Sequence, residues 1–196
     1  GDIILHLNQA GFYPRFKFVG ATFSRDLSSL RADFLGGISP VVRLEGFYAF
    51  DSTFATNLDR FVECDEIRWG IGVDWKIRVP WINPSQGIAI WPQFYHRNIQ
   101  DVPGEGLAGI PDSDTYQWTL MMNTSYKNAK LTPSFFMLRD IRSRSHFIKL
   151  ELEYKKSHNW QYAVGALILR GSEDLTGFGP LDNKDHLYFK ISYTWG

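Results

Sequence analysis

The sequence predicts an all-β fold: an antiparallel up-and-down transmembrane β-barrel of about nine meandering strands. Three observations carry that expectation. Apolar and polar residues alternate over long stretches, which gives each strand two faces suited to different media. Most stretches run for about 9–13 residues. Strands of water-soluble proteins cluster near about 5–6 residues, and a tilted strand crossing a bilayer needs about 9–11. Tight turns also alternate with long loops rich in Gly, Pro and Asp, the arrangement of outer-membrane barrels. The whole chain, 1–196, reads as a single domain.

Taken in order, the expected strands are 14–25, 40–50, 66–78, 86–97, 114–127, 130–138, 146–156, 159–170 and 185–195. The third is the clearest. In "EIRWGIGVDWKIR", Ile67, Trp69, Ile71, Val73, Trp75 and Ile77 form one face, and Arg68, Gly70, Gly72, Asp74, Lys76 and Arg78 the other. The fifth sets Tyr116, Trp118, Leu120, Met122, Thr124 and Tyr126 against Gln117, Thr119, Asn123, Ser125 and Lys127. In the seventh, Ile148, Leu150, Leu152 and Tyr154 oppose Lys149, Glu151 and Glu153. Trp160, Tyr162, Val164, Ala166 and Ile168 make one face of the eighth; Leu187, Phe189, Ile191, Tyr193 and Trp195 make one face of the ninth. Tight turns are expected near Asn128 and Ser157. Long loops are expected at 51–65, 98–113 and 171–184, with 139–145 on their side. The connection 79–85 is intermediate, bounded by Pro80 and Pro84, which stop strands.

This parity assigns the media. The apolar face meets lipid tails. Trp69, Trp75, Tyr116, Trp118, Tyr126, Tyr154, Trp160, Tyr162, Tyr193 and Trp195 belong at the headgroup belts, where one edge of the ring is apolar and the other wet. The opposite face lines a hydrated lumen with Arg43, Glu45, Arg68, Asp74, Lys76, Arg78, Lys149, Glu151, Glu153 and Lys190. Their mixed signs select no ion by charge, unlike a ring of one sign. Outside, Arg139, Arg142 and Arg144 in "RDIRSRSHF" are candidates for contact with lipopolysaccharide phosphates. The competing reading of this segment is a solvated loop paired with acidic neighbours.

Composition is consistent with a barrel and excludes other classes. Mean hydropathy is -0.24, as expected where apolar and polar residues alternate. No apolar run approaches the roughly 18 residues of a spanning helix. Net charge is +0, which argues against nucleic acid as a partner. The single cysteine, Cys64, reads as a loop thiol, and no zinc spacing exists. Gly1 is followed at once by Asp2 with no signal peptide in view, as in a mature chain or an excised segment.

Nothing in the sequence points to an enzyme, a cofactor or a metal. His96, Asp101 and Ser113 can be drawn as a triad, but no nucleophile motif surrounds them. "GEGLAG" (104–109) lacks the following helix of a phosphate cradle. Asp101, Glu105, Asp112 and Asp114 match no calcium-loop spacing.

Several pieces occur in a familiar order: "YPRFKFVGATFS", "VVRLEGFYAFDSTFAT", "RWGIGVDWKIRVPWINPSQGIAIWPQFYHRNIQD", "LTPSFFMLRDI" and "WQYAVGALILRGSEDLTGFGPLDNKDHLYFKISYTW". Together, over roughly 13–195, they resemble the C-terminal part of a proteobacterial outer-membrane porin-like barrel family of unknown function (DUF1302). The resemblance implies a large barrel, acting in some members alongside inner-membrane transporters of the RND type in moving hydrophobic compounds. Members tend to end on an aromatic residue, whereas here Gly196 follows Trp195. They are also longer, so the chain is expected to be the C-terminal segment of a larger barrel; a complete eight- or ten-stranded barrel is the alternative.

The expected function is a bacterial outer-membrane channel for small or hydrophobic solutes, with outer-membrane lipid and lipopolysaccharide as its surroundings. The alternative is a non-conducting structural or adhesin-like barrel acting through its outer loops. A lipid-modifying enzyme ranks last.

Overall fold

Period-two alternation of β-branched and aromatic residues produces nine strands, in the order expected. The computed structural model describes residues 15–31, 36–110, 112–171 and 178–195. The strands are β1 (Lys17–Asp26), β2 (Val41–Ala55), β3 (Phe61–Ile77), β4 (Ile88–Ile99), β5 (Asp114–Asn123), β6 (Leu131–Asp140), β7 (His146–Lys155), β8 (Trp160–Arg170) and β9 (His186–Tyr193). They form one antiparallel up-and-down sheet in sequence order, β1 to β9. Among the described residues β1 pairs only with β2, and β9 only with β8. Among the described residues the sheet is therefore open at both edges. The only helical elements described are short 3-10 turns at Ser28–Leu30 and Gly179–Leu181.

Strand alternation puts the connections on two rims. One rim, here the turn rim, carries 27–40, 78–87, 124–130 and 156–159. The loop rim carries 56–60, 100–113, 141–145 and 171–185. The tight turns fall where expected. At 124–130 the chain reverses through Lys127, Asn128 and Ala129, all at positive φ, with Tyr126 and Leu131 bridged across it. Three departures matter. The connection 27–40 is long yet lies on the turn rim. β5 ends at Asn123, four residues short of expectation, because Thr124 and Ser125 turn to bond Asn83 rather than β4.

The third departure is larger. Residues 51–65, expected as a long loop, are mostly strand: β2 runs on to Ala55 and β3 starts at Phe61. A β-bulge lies between Ala49 and Ser52, with Asp51 at φ 52. The bulge offsets the two strands by a residue and strengthens the local twist. The extended hairpin rises beyond the rest of the loop rim. The chain from Gln100 to Ile110 folds back onto it, and Cys64, Ile99 and Leu107 become a small buried core flanked by Phe54, Val62, Val102 and Ile110. Cys64 is therefore a buried core residue and not a loop thiol. The Asn57 amide donates to Glu105 O (2.8 Å), Ala108 N to Ala55 O (2.8 Å), and Arg60 pairs with Glu105.

At the turn rim a single buried side chain organises the "WINPSQ" connection. Asn83 is 1% exposed. Its Nδ2 donates to Thr124 Oγ1 (2.8 Å) and Ser125 O (2.9 Å). Its Oδ1 accepts from Ser85 N (3.1 Å) and Gln86 N (3.0 Å). One amide thus closes its own turn and ties it to the neighbouring hairpin.

Candidate functional site

Cross-strand register sorts the side chains into two faces. One cross-strand row joins Leu44, Ile71, Phe94, Trp118, Arg139, His146 and Arg170. Other rows on that face join Ile90 to Met122, Leu120 to Met137, Leu150 to Ala166, and Val164 to Phe189. Among the described residues the interior of this face carries no charged residue from β2 to β9; on β1, Arg25 shares it, opposite Val42. Much of it is open: Leu44, Ile71, Leu150, Leu152, Val164 and Phe189 are exposed. An apolar surface across nine strands far exceeds the few hundred Å² that monomeric water-soluble proteins leave bare.

The apolar band does not run straight across the strands. On β3 it centres on Gly72. Partners lead from Gly72 through Gln93, Thr119, Leu138 and Phe147 to Leu169. On β8 the apolar run Trp160–Ile168 centres on Val164, five residues from Leu169 after five strand steps. The band slips by one residue per strand: about 3.3 Å along the strand for each step of about 4.8 Å sideways, a slope of roughly 35°. Strands of closed barrels tilt by about 35–45°.

The expected interface aromatics lie on this face, in two groups. Towards the turn rim, Trp160 packs on Tyr193 (4.8 Å between centroids), Tyr193 on Trp195 (4.9 Å), and Tyr162 pairs with Tyr154. Trp75 Nε1 donates to Ile38 O (3.1 Å), and the Tyr126 hydroxyl to Ile82 O (3.0 Å). Trp81, 84% exposed, stands in the turn 78–87 on the same rim, where alternation gives no cue. Towards the loop rim lie Trp69, Tyr116 and Trp118, with His96 stacked on Tyr116 at 4.5 Å.

The opposite face holds the expected charges, together with apolar residues such as Phe136, Leu138, Phe147 and Leu169. Arg43 pairs with Asp74 (2.7 Å). Lys149 pairs with Glu151 (3.0 Å), whose second partner is the Tyr188 hydroxyl (2.6 Å). Tyr188 lies flat over Gly165, and Tyr95 over Gly70; a Cβ at either glycine would fall within 3 Å of the ring. Glu45, Lys76, Glu153 and Lys190 occupy the same face by register. Arg78 follows the end of β3. The expected residues are thus spread as local pairs along the sheet rather than gathered at one point.

Convergence occurs where one expected residue, Arg68, meets two that parity did not single out, Glu66 and Arg97. Glu66, 4% exposed, accepts from Arg68 Nε (2.6 Å) and from Arg97 Nε. Arg68 lies over the Phe47 ring (5.2 Å) and Arg97 over Phe54 (5.8 Å). Beside them a cavity of about 700 Å³ opens on the polar face, walled by Phe18, Phe47 and Tyr95 and bounded by Thr22, Glu45 and Gln117. Arg97 was legible, two residues past Tyr95 in β4, but its meeting with Glu66 requires the register of β3 on β4.

The loop-rim candidates divide. Arg139, one residue before the end of β6, lies directly opposite His146 on the apolar-face side. Arg142 turns away to Asp112 (4.0 Å) and Asp114 (3.9 Å), and Arg144 stands in the turn at φ 52. The three arginines do not form one clamp. His96 pairs with Asp114 (3.1 Å), not Asp101, so the triad drawn from sequence does not assemble. The four acidic residues weighed for calcium are dispersed: Glu105 is on Arg60, and Asp112 and Asp114 are on Arg142. No family model, curated protein or solved structure matches the chain.

Proposed function

We propose that the sheet is the wall of a bacterial outer-membrane β-barrel that passes small or hydrophobic solutes along its polar face. The observation that carries this reading is the slanted apolar band. Centred as it is on Gly72 and Val164, it slopes by roughly 35° to the strand normal, so tilting the strands by that angle brings it level. A level band needs one flat medium outside. On β3 the run from Ile67 to Ile77 spans about 33 Å of rise, or about 27 Å of height at that tilt, close to the roughly 25 Å apolar band of such barrels. Charged residues then flank the band on the loop-rim side: Arg139, His146 and Arg170 lie four, five and six residues from the band centres of their strands. On this reading Arg139 and His146, without ion-pair partners among the described residues, are the groups that would meet lipopolysaccharide phosphates. No step of covalent chemistry is assigned to the polar face.

Membership of the porin-like family named above (DUF1302), and cooperation with an RND-type transporter, rest on the order of the sequence motifs. A second reading, a non-conducting or adhesin-like barrel, draws on the folded body that the β2–β3 hairpin builds with residues 100–110 beyond the band. Conductance of the full-length protein in planar bilayers separates the two. The channel reading expects open-pore current that survives, or grows, when Leu107→Asp releases the loop from Cys64 and Ile99. Folded, inserted protein that conducts in neither form refutes it.

A further inference from the structure

The cavity beside Glu66 has a charge pattern that the channel reading leaves unused. Two arginines, Arg68 and Arg97, meet a single carboxylate there. Each spends its Nε on Glu66, and neither makes another side-chain hydrogen bond among the described residues. One positive charge is therefore in excess, with terminal guanidinium nitrogens free to act as a fork for an anion. Next to it the wall is aromatic, from Phe18, Phe47 and Tyr95. Beyond the wall stands Glu45, on the same face and opposite Gly70, with no ion-pair partner among the described residues. Gly70 and Arg68 are two residues apart on β3, so the cationic and anionic ends are separated by roughly 7 Å of strand rise.

We infer that this cavity is a binding site for amphipathic monocarboxylates, with the carboxylate on Arg68 and Arg97 and an aromatic or branched aliphatic body against Phe18, Phe47 and Tyr95. Glu45 makes the site selective. A ligand with a second carboxylate across the ring would set it against Glu45, where like charges repel. A neutral analogue would leave the excess guanidinium charge unanswered. The volume, about 700 Å³, lies within the roughly 300–1,000 Å³ of small-molecule sites. For its role in passage the inference rests on the channel reading; binding itself does not.

The test measures binding to the full-length protein in detergent micelles by 19F NMR and calorimetry, with conductance recorded separately. The probes are 4-fluorobenzoate, 4-fluorobenzyl alcohol and terephthalate. Saturable binding of 4-fluorobenzoate is expected, at least about tenfold tighter than the alcohol or terephthalate, and lost by a similar factor in R68Q and R97Q. E45Q should recover terephthalate binding while leaving 4-fluorobenzoate nearly unchanged. T22W fills the cavity from β1 with both arginines intact and should abolish binding even if an arginine variant fails to fold. Equal affinity for acid and alcohol, or acid binding indifferent to T22W, overturns the site. A protein that binds as expected but does not conduct refutes the channel reading and leaves the site standing.

Discussion

Replacing Leu150 with arginine separates hydrocarbon from water on the apolar face. Leu150 lies on β7 between Phe135 and Ala166, next to the centre of the band, and is 46% exposed. If that face met water, the change would forfeit part of a half-buried leucine. The arginine stem could also lie along Phe135, and the cost would stay near or below about 1 kcal/mol. If it meets lipid tails, the guanidinium sits near the bilayer midplane and the cost rises to about 2–4 kcal/mol. Ser134→Arg is the control. It lies at the same level on β6, on the polar face opposite Glu151, where an opposite charge contributes roughly 0.2–1 kcal/mol. Ile168→Arg tests depth: it lies two residues from Arg170 at the edge of the band and should cost only about 0–1 kcal/mol. The assay is reversible urea unfolding of the full-length protein in phosphatidylcholine vesicles, followed by tryptophan fluorescence. Equal costs at Leu150 and Ser134, or no difference between Leu150 and Ile168, would refute the two-media assignment.

Asn83→Ala strands Ser85 N and Gln86 N and frees the second hairpin; unfolding should show a loss of about 2–3 kcal/mol, with protease cleavage appearing within 79–86. Gly70→Ala places a Cβ 2.8 Å from Tyr95 Cδ1 and should cost about 1–3 kcal/mol; in a Tyr95→Ala background the penalty should fall by at least half, and strict additivity would deny the contact. At pH extremes Asp185 matters: Arg170 (2.5 Å) and then Leu169 N–H (2.9 Å) hold its carboxyl below the ordinary value. A depressed pKa stabilises the folded state fully above the unfolded value, about 3.9, and the benefit fades as pH falls through the folded one. The stability gap between wild type and Asp185→Asn should therefore be constant above about pH 5 and shrink below about pH 4; a gap that widens in acid contradicts the assignment.

Strand order and the two faces were legible because alternation is a local signal, complete within one strand. Long runs such as Ile67–Ile77 and Ile148–Tyr154 need no partner to be read. The failures share one cause: they depend on phase or pairing. Before the bulge, the polar face of β2 takes Arg43, Glu45, Phe47 and Ala49; after it, Ser52 and Phe54 face Cys64 and Val62. A strand that changes phase at Phe50 and Asp51 loses its period, and its Asp, Ser, Thr and Asn content then reads as loop. The Glu66, Arg68 and Arg97 cluster needs two strands in known register. Arg142 and Arg144 sit in a turn, where parity fixes no direction, so grouping them with Arg139 on sequence proximity alone failed. The slant of the band is invisible in any one strand and emerges only when several registers are joined.

The same registers put a condition on closure. In a sheet of nine alternating strands, β1 and β9 run the same way. Pairing them directly would make one parallel seam among antiparallel neighbours. On the barrel reading, an odd number of further strands must therefore bridge β9 to β1, so that every pair stays antiparallel. Lipid enforces this, because an edge left open in hydrocarbon strands a row of N–H and C=O groups at several kcal/mol each. Every second amide of β1 points away from β2, and every second amide of β9 away from β8. Hydrogen exchange of the full-length protein in micelles reads these amides directly. Protection of both sets to the level of β2 and β8 is expected if the edges are paired. Exchange within seconds at alternate positions of Lys17–Asp26 or His186–Tyr193 would mean that the edges stay open, and a bilayer would then reject the wall that the apolar band requires.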